Sequence, residues 1–502
     1  MQSIFVLRQN HIRFARMSKT IHKQAFFYTL INYIGTAVGI ISVLFIYPND
    51  LEFLGTVRYV DNISQVLYPI MVLGASHALI KFYPALNEEK RKQLFNYSLI
   101  SITVISLVII GGIALFHLAT GYKDINLVYI AFPIAVSLAF IDLFRKQAQD
   151  LQKLAVPTLY EKLLPKIALP LLFILLLRQM LSESQSLLLY MACYVLIFLL
   201  TAQYLFRHFR PGYNYRFKTL FGEISRRDYF RYSLYAFAGS FGSLLAFRID
   251  GFVIYNLISE EANGVFNVGV TLASTLQIPA IGIFALYSPI ISDYLKSDNF
   301  TDLHMKYKEV ARLLFFIGGI LFSCIFLGIA DLFMLLPSHE KLMLAVPVIL
   351  ILGFNVLINM ATGFSTEIIT YSKYYRFNMV AILSLIAVNV PLNLFVVYYT
   401  NWGITGIAWA SFISMVLFNL LKLVFIYKKF RLLPFDKGFL KLGFMFVISG
   451  LLLFYIDFGS HLLNLIIKCG LSVVVNVLAA YKLKLVYQVN VSIDKILDRI
   501  RK

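Results

Sequence analysis

Runs of about 20 consecutive, mostly apolar residues recur from Ala25 almost to the C-terminus, and no other feature restricts the fold of this chain so tightly. A helix of that length crosses the roughly 30 Å hydrocarbon core of a bilayer, and it satisfies its own backbone polar groups there. Of the 502 residues, 59% are hydrophobic and 14% are charged, and the mean hydropathy is +0.76. Soluble globular domains do not have those proportions. No stretch between the runs is long enough to form a soluble domain. The expectation is an all-α integral membrane protein.

About 14 spans are expected, at 25–47, 60–83, 96–118, 126–144, 158–178, 187–206, 231–258, 264–292, 310–332, 343–366, 377–399, 403–427, 438–456 and 461–481. An even count puts both termini on one side. Lys and Arg then choose the side. The segments "KFYPALNEEKRKQ", "RHFRPGYNYRFKTLFGEISRRDYFR", "DYLKSDNFTDLHMKYKEVAR" and "KLVFIYKKFRLLPFDKGFLK", with both tails, are rich in the 45 cations. The alternate segments, such as "PNDLEFLG", "SEEANG", "TNW" and "DFGS", are short and almost neutral. By the positive-inside rule the basic side is cytoplasmic, so both termini are cytoplasmic. Topology therefore accounts for the net charge of +19, and no nucleic-acid partner is expected.

The N-terminal "MQSIFVLRQNHIRFARMSKTIHKQ" is basic and lacks the apolar core of a cleavable signal peptide, so the first span serves as the insertion signal. Met17 is an alternative start. Cys193, Cys324 and Cys469 fall inside apolar runs with no partner at metal or disulfide spacing, and read as small core hydrophobes. No cofactor is implied.

An internal repeat organises the spans. "SVLFIYPNDLEFLGTVRYVDNISQVLYPIMVLGASHALIKFYPAL" and "FVIYNLISEEANGVFNVGVTLASTLQIPAIGIFALYSPIISDYL" share an order of features. In each, an outward helix ends in Ile-Tyr, an acidic turn reaches a glycine (Gly55, Gly264), and the next helix carries a proline (Pro69, Pro279). Six spans separate two segments of the same sense, which gives two parallel-repeat six-helix lobes plus two C-terminal helices. The division is a basic N-tail 1–24, an N-lobe 25–207, a basic linker 208–230, a C-lobe 231–428, spans 13 and 14 within 429–484, and a C-tail 485–502.

On the acidic turn and glycine, on "LGASHALIKFYP" of the first half and "FRIDGFVIYNLISEEANGVFNVG" of the second, and on the span layout, the sequence resembles the polysaccharide-export branch of the MOP superfamily, the multidrug/oligosaccharidyl-lipid/polysaccharide transporters. The resemblance implies a V-shaped pair of bundles with alternating access to a central cavity. It implies movement of a polyprenyl-pyrophosphate-linked oligosaccharide (an O-antigen, capsule or exopolysaccharide repeat unit) across a bacterial inner membrane. In some relatives the two extra helices, here spans 13 and 14, line a groove for the lipid tail. Expected partners are the lipid-linked oligosaccharide, membrane lipids, H+ or Na+ as a coupling ion, and polysaccharide polymerase machinery.

Charges inside spans are costly, at least about 2.5–3.5 kcal/mol at the midplane, so they face water or a partner helix. Arg248 and Asp250 stand two residues apart in span 7, on different sides of a helix. Either they make inter-helix ion pairs that fix packing, or Arg248 attracts a pyrophosphate or acidic sugar while Asp250 handles a coupling cation. The matching stretch of the first repeat, "GIISV" from Gly39, carries no charge.

Asp61, at the outer mouth of span 2, either caps it or serves function. His77 is a core residue or a ligand contact, and Lys81, one turn on, snorkels to the cytoplasmic surface. Glu161, Lys162 and Lys166 open span 5, where Lys166 lies in the interface or touches phosphate from the inner cavity. Glu367 is a protonatable coupling group or a surface partner of Lys373 and Arg376. Asn355 and Asn359 on span 10, and Asn389 and Asn393 on span 11, form polar stripes that are interhelical glue or sugar contacts.

A P-loop of the form GxxxxGK[ST] does not occur. The leading function is a lipid-linked oligosaccharide flippase. The alternatives are a cation-coupled multidrug antiporter of the same superfamily, against which basic inner loops argue, and a membrane polymerase or glycosyltransferase. Short outer loops without a carboxylate pair argue against the enzyme.

Overall fold

The computed structural model of the chain describes residues 34–121, 125–246 and 248–500. The N-tail, Met17, the start of span 1 and Lys123 of the first expected cytoplasm-distal loop after span 3 lie outside the described residues. Every regular element described is helical. Nine of these helices are long and apolar enough to cross a membrane, or up to twelve if each of three bent pairs is one span. Two expected spans fall short of that measure for visible reasons. The first is described only over α1 (Ile34–Asn49), and the fifth, α6 (Ala155–Leu177), carries Glu161, Lys162 and Lys166.

Contacts divide the chain into two compact units, the first reaching to Ser42 and resuming over Val57–Leu245, the second comprising Val43–Thr56 and Ala246–Lys502. The helices that build the first unit are α1 as far as Ser42, α2 (Leu51–Val72) from Val57 onward, α3 (Ala75–Phe82), α4 (Glu88–Thr120), α5 (Ile125–Asp150), α6, α7 (Glu183–His208), α8 (Phe217–Glu223) and α9 (Arg226–Ala246); the end of α1 and the first turns of α2, with Gly55 and Thr56, belong to the second. Its core gathers Tyr83, Leu94, Phe95, Phe144, Leu205, Leu220 and Tyr229. Outward surfaces are apolar instead: Leu118 of α4 is 85% exposed and Val108 69%. A water-facing helix would not carry such residues in series, whereas lipid tails accept them.

The second unit holds α10 (Ile249–Leu257), α11 (Glu260–Ser274), α12 (Ile278–Lys296), α13 (Phe300–Met334), α14 (His339–Met343), α15 (Val346–Ala361), α16 (Ser365–Tyr371), α17 (Phe377–Tyr399), α18 (Gly403–Phe430), α19 (Lys437–Phe454), α20 (His461–Lys482) and α21 (Tyr487–Ile500). Helix association in lipid relies on close packing and hydrogen bonds, because tails are as apolar as leucine. Accordingly α20 presents a polar stripe, Asn464, Lys468, Ser472 and Asn476, four residues apart and all buried. Ser449 of α19 donates to Asn476 Oδ1 at 2.9 Å.

The acidic outer turns of the repeat are the first turns of helices, so α2 and α11 start earlier than the expected 60 and 264. Asp50 caps α2 by accepting from the Phe53 amide at 2.9 Å, and Ser259 caps α11 by accepting from the Ala262 amide at 3.0 Å. The two glycines of the repeat meet each other's helices there. A Cβ on Gly55 would sit 1.9 Å from the Glu260 carbonyl oxygen, and one on Gly264 would sit 1.9 Å from that of Leu51. Asn263 Nδ2 donates to the Gly55 carbonyl at 2.8 Å, and Thr56 Oγ1 donates to Glu260 Oε2 at 2.9 Å.

Breaks interrupt spans that the sequence presents as continuous. α2 and α3 meet at 47° across Leu73 and Gly74, where Gly74 has φ +77° and leaves no room for a Cβ beside the Ser233 carbonyl. α15 and α16 meet at 51°, with Gly363 at φ +59° between them. Span 7 is likewise α9 followed by α10.

Candidate functional site

Arg248 occupies the N-cap position of α10, in the break after α9, so it does not belong to the uninterrupted helix that the sequence suggests. Asp250 is in the first turn of α10. Its Oδ1 accepts from Asn393 Nδ2 of α17 at 2.7 Å, and its Oδ2 accepts from Ser411 Oγ of α18. The second Asn393 amide proton goes to Asn389 Oδ1 at 2.9 Å, and Asn389 Nδ2 donates to Ser411 Oγ at 3.3 Å. Asn393 Oδ1 is left buried without a partner among the described residues. Three helices thus converge a carboxylate, two amides and a hydroxyl on one point. Neither expected alternative for Asp250 included Ser411, whose serine code is silent in an apolar run. Among the described residues no group of three or more His, Cys, Asp or Glu could hold a metal ion. As built, Asn393 turns its Nδ2 to the carboxylate, and the oxygens gathered beside it are those of Asp250, Asn389 and Ser411.

In the first unit, Asp61 Oδ2 pairs with Arg58 Nη1 at 3.1 Å, and Asp61 Oδ1 accepts from the buried Tyr190 hydroxyl of α7 at 2.9 Å. Tyr194 stands one turn along α7, its hydroxyl 3.4 Å from that of Tyr190. Arg58 escaped the sequence reading because span 2 was expected to begin at 60; the early start of α2 brings it into the helix. Lys166 is exposed and lies against Gly35, where a Cβ would meet Lys166 Cδ at 3.1 Å and Nζ at 3.4 Å. Glu161 is no partner of Lys166: it pairs with Arg145 at 2.6 Å and Lys162 at 3.1 Å. The charges that act on Lys166 are both cations, Lys162 and Arg58.

The remaining candidates separate. His77 is half-buried on α3 under the influence of Lys146 and Asp142 of α5, and Lys81 is exposed at the last turn. Asn355 Oδ1 is buried without a partner among the described residues, while the Asn359 backbone carbonyl accepts from Thr362 Oγ1 at 2.8 Å. Glu367, on α16, makes no ion pair with Lys373 or Arg376; the charge acting on it is Lys422 of α18. Lys422, counted from the sequence among cytoplasmic loop cations, is 2% exposed. Cys324 and Cys469, read as unpartnered, approach each other: Cys469 Sγ lies 3.5 Å from the Cys324 carbonyl and Cys324 Sγ lies 4.0 Å from that of Cys469.

An apolar cavity of about 710 Å³ opens in the second unit, walled by Phe315, Phe322, Phe354, Leu420, Phe439 and Val447. Its walls come from α13, α15, α18 and α19. Span 13 therefore lines this cavity, and no described residue of α20 is among its walls.

A family model described as polysaccharide biosynthesis protein matches residues 21–295, more than half of the chain. The chain belongs to that family. The fold is that of solved transporter structures. It is similar to the lipid II flippase MurJ in an inward closed conformation, with 12% identity and a TM-score of 0.67 over 92% of this chain and 98% of that one. It is also similar to an inward-facing multidrug resistance MATE family transporter of the MOP superfamily, with 14% identity and a TM-score of 0.61 over 79% of this chain and 94% of the other. A MOP superfamily transporter from Pyrococcus furiosus aligns at 13% identity and a TM-score of 0.57, over 82% and 96%. No curated protein matches the sequence. The MOP resemblance and the all-α multi-pass membrane fold expected from the sequence are borne out.

Proposed function

We propose that this chain is a flippase that carries a polyprenyl-pyrophosphate-linked oligosaccharide, the repeat unit of an O-antigen, capsule or exopolysaccharide, across a bacterial inner membrane by alternating access. The observation that carries the reading is Lys166. It sits roughly 16 Å along α6, partly covered where it packs on Gly35, with no carboxylate paired to it among the described residues and with the cations Lys162 and Arg58 as its charged neighbours. A span does not keep an uncompensated cation against lipid, so this one awaits an anion. A pyrophosphate brings that charge and several acceptor oxygens, which Lys and Arg bind well. Arg58, tethered through Asp61 to Tyr190, adds a guanidinium whose direction is fixed.

The Asp250 cluster supplies the coupling ion's place. Half a turn of the Asn393 amide would bring its unpartnered oxygen to the carboxylate, joining Asn389 Oδ1 and Ser411 Oγ around Na+; a proton on Asp250 is the other occupant. The apolar cavity beside α19 suits an isoprenoid tail. The transport reading without catalysis accords with the family and fold.

Translocation of defined polyprenyl-pyrophosphate oligosaccharides by the chain in liposomes tests the reading. Transfer that depends on Lys166 supports it. Transfer of amphiphilic cations with none of the lipid-linked sugar would replace it with the multidrug antiporter.

A further inference from the structure

The break in the α15–α16 span holds a second pair of opposite charges, outside the groups assigned to cargo and cation above. Lys422 Nζ donates to Thr366 Oγ1 at 3.1 Å and lies 4.2 Å from the centroid of the Phe418 ring. A hydroxyl and a ring face do not replace the hydration shell of an ammonium, so a buried lysine needs a counter-charge. The carboxylate whose field reaches it is Glu367, next to Thr366 in the chain. The two act on each other without an ion pair of 4.0 Å or less between them.

The titratable groups nearest them include tyrosines and, on α13, Lys306, which pairs with Glu309 at 2.7 Å and interacts with Tyr287 and Tyr294. Tyr307 of α13 has a fully buried hydroxyl that interacts with Ser365 of α16 and senses Glu367. Tyr287 of α12 stacks its ring on Phe364, at 6.5 Å between centroids. α17 carries no charged residue, and Asp293, Lys296, Lys428 and Lys429 belong to the last turns of α12 and α18. α16 is seven residues long and follows the left-handed Gly363, where a Cβ would stand 3.1 Å from Ala311 Cβ. Phe364, Ile368 and Ile369 anchor this short helix in the core, and the charge on Glu367 adds to what sets its position about Gly363.

We propose that Glu367 and Lys422 form a proton-binding site at this break, separate from the Asp250 cluster, and that its charge state sets the position of α16. Its role in a transport cycle rests on the flippase reading. A proton from cytoplasmic water joins a carboxylate oxygen of Glu367 and takes the pair from neutral to a single positive charge, while Lys422 keeps its three protons. The ammonium is then a buried cation without a counter-charge. That state favours a shift of α16 about Gly363 that hydrates Lys422 or offers it to an anion. Release of the proton restores the attraction.

The test uses the full chain in lipid nanodiscs without cargo. A hydrophobic carbodiimide, which adds to protonated carboxyls, is followed at Glu367 by peptide mass spectrometry across a pH series. Labelling is expected to rise as pH falls, and at neutral pH to be about tenfold faster in Lys422→Met than in the wild type. In parallel, amide exchange of residues 365–371, corrected for intrinsic rates, should quicken at acid pH in the wild type and lose its pH response in Glu367→Gln. Labelling of the wild type that ignores pH, or exchange with the same pH response in Glu367→Gln, overturns the proposal. Because cargo is absent, neither result bears on the flippase reading, and a failure to move cargo does not bear on this site.

Discussion

Asn393 of α17 gives one amide proton to the Asp250 carboxylate of α10 at 2.7 Å, while its own amide oxygen is buried with no partner among the described residues. A buried amide oxygen without a donor costs free energy on the order of 1–3 kcal/mol, which a bound cation would recover. Asn393→Leu should lower unfolding stability by about 1.5–3 kcal/mol, since it strips a donor from a buried carboxylate. It should also abolish any stabilisation of the protein by Na+. Thermal denaturation in detergent with and without the cation measures both.

The crossing of Gly55 and Gly264 leaves no room for a methyl group, because a carbonyl oxygen lies 1.9 Å from each missing Cβ. Gly55→Ala and Gly264→Ala should each destabilise the protein by at least about 1–3 kcal/mol, the usual cost of overpacking. Gly39→Ala in α1, where nothing lies within 4 Å of the added carbon, should be neutral or stabilising by up to about 1 kcal/mol. Melting temperatures of the three variants separate the close approach from a general glycine effect.

This crossing shows how far the sequence could be read. The order of turn, glycine and proline in the two halves was visible, and the structure shows why the glycines are needed. The positions of the helix starts were less visible, because Asp50 and Ser259 act as caps whose hydrogen bonds extend helices into segments that look like loops. Arg58 was lost for that reason. Lys422 was lost because a lysine near a basic segment reads as cytoplasmic, although α18 continues to Phe430 and keeps it buried. Asp250 was legible as a charge in a span; its partners were not, since Ser411 and Asn393 meet it only through tertiary packing.

Lys166 and Arg58 act on the same cargo charge in this account, but Arg58 is already tied to Asp61. Lys166→Met should therefore leave the melting temperature near the wild-type value and raise the cargo concentration for half-maximal transport about ten- to a hundredfold, the equivalent of one lost charge-assisted contact of about 1.5–3 kcal/mol. Lys166→Arg should restore most of it. Neutral lipid-linked analogues without phosphate should not distinguish the variants.

Cys324 on α13 and Cys469 on α20 face each other's carbonyls at 4.0 and 3.5 Å. Mild oxidation with a copper complex should join them, with loss of two hydrogens seen in the intact mass, and leave Cys193 as a free thiol. A cross-link involving Cys193 instead would contradict the packing of α13 on α20.

The most direct measurement is the transfer of a defined polyprenyl-pyrophosphate oligosaccharide across liposomes containing the full chain, with an imposed Na+ or H+ gradient, for the wild type and Asp250→Asn. The expected result is gradient-driven transfer by the wild type and, in Asp250→Asn, slow transfer that no longer responds to the gradient. Absence of transfer by a correctly folded wild type, or an unchanged gradient response in Asp250→Asn, would contradict the account.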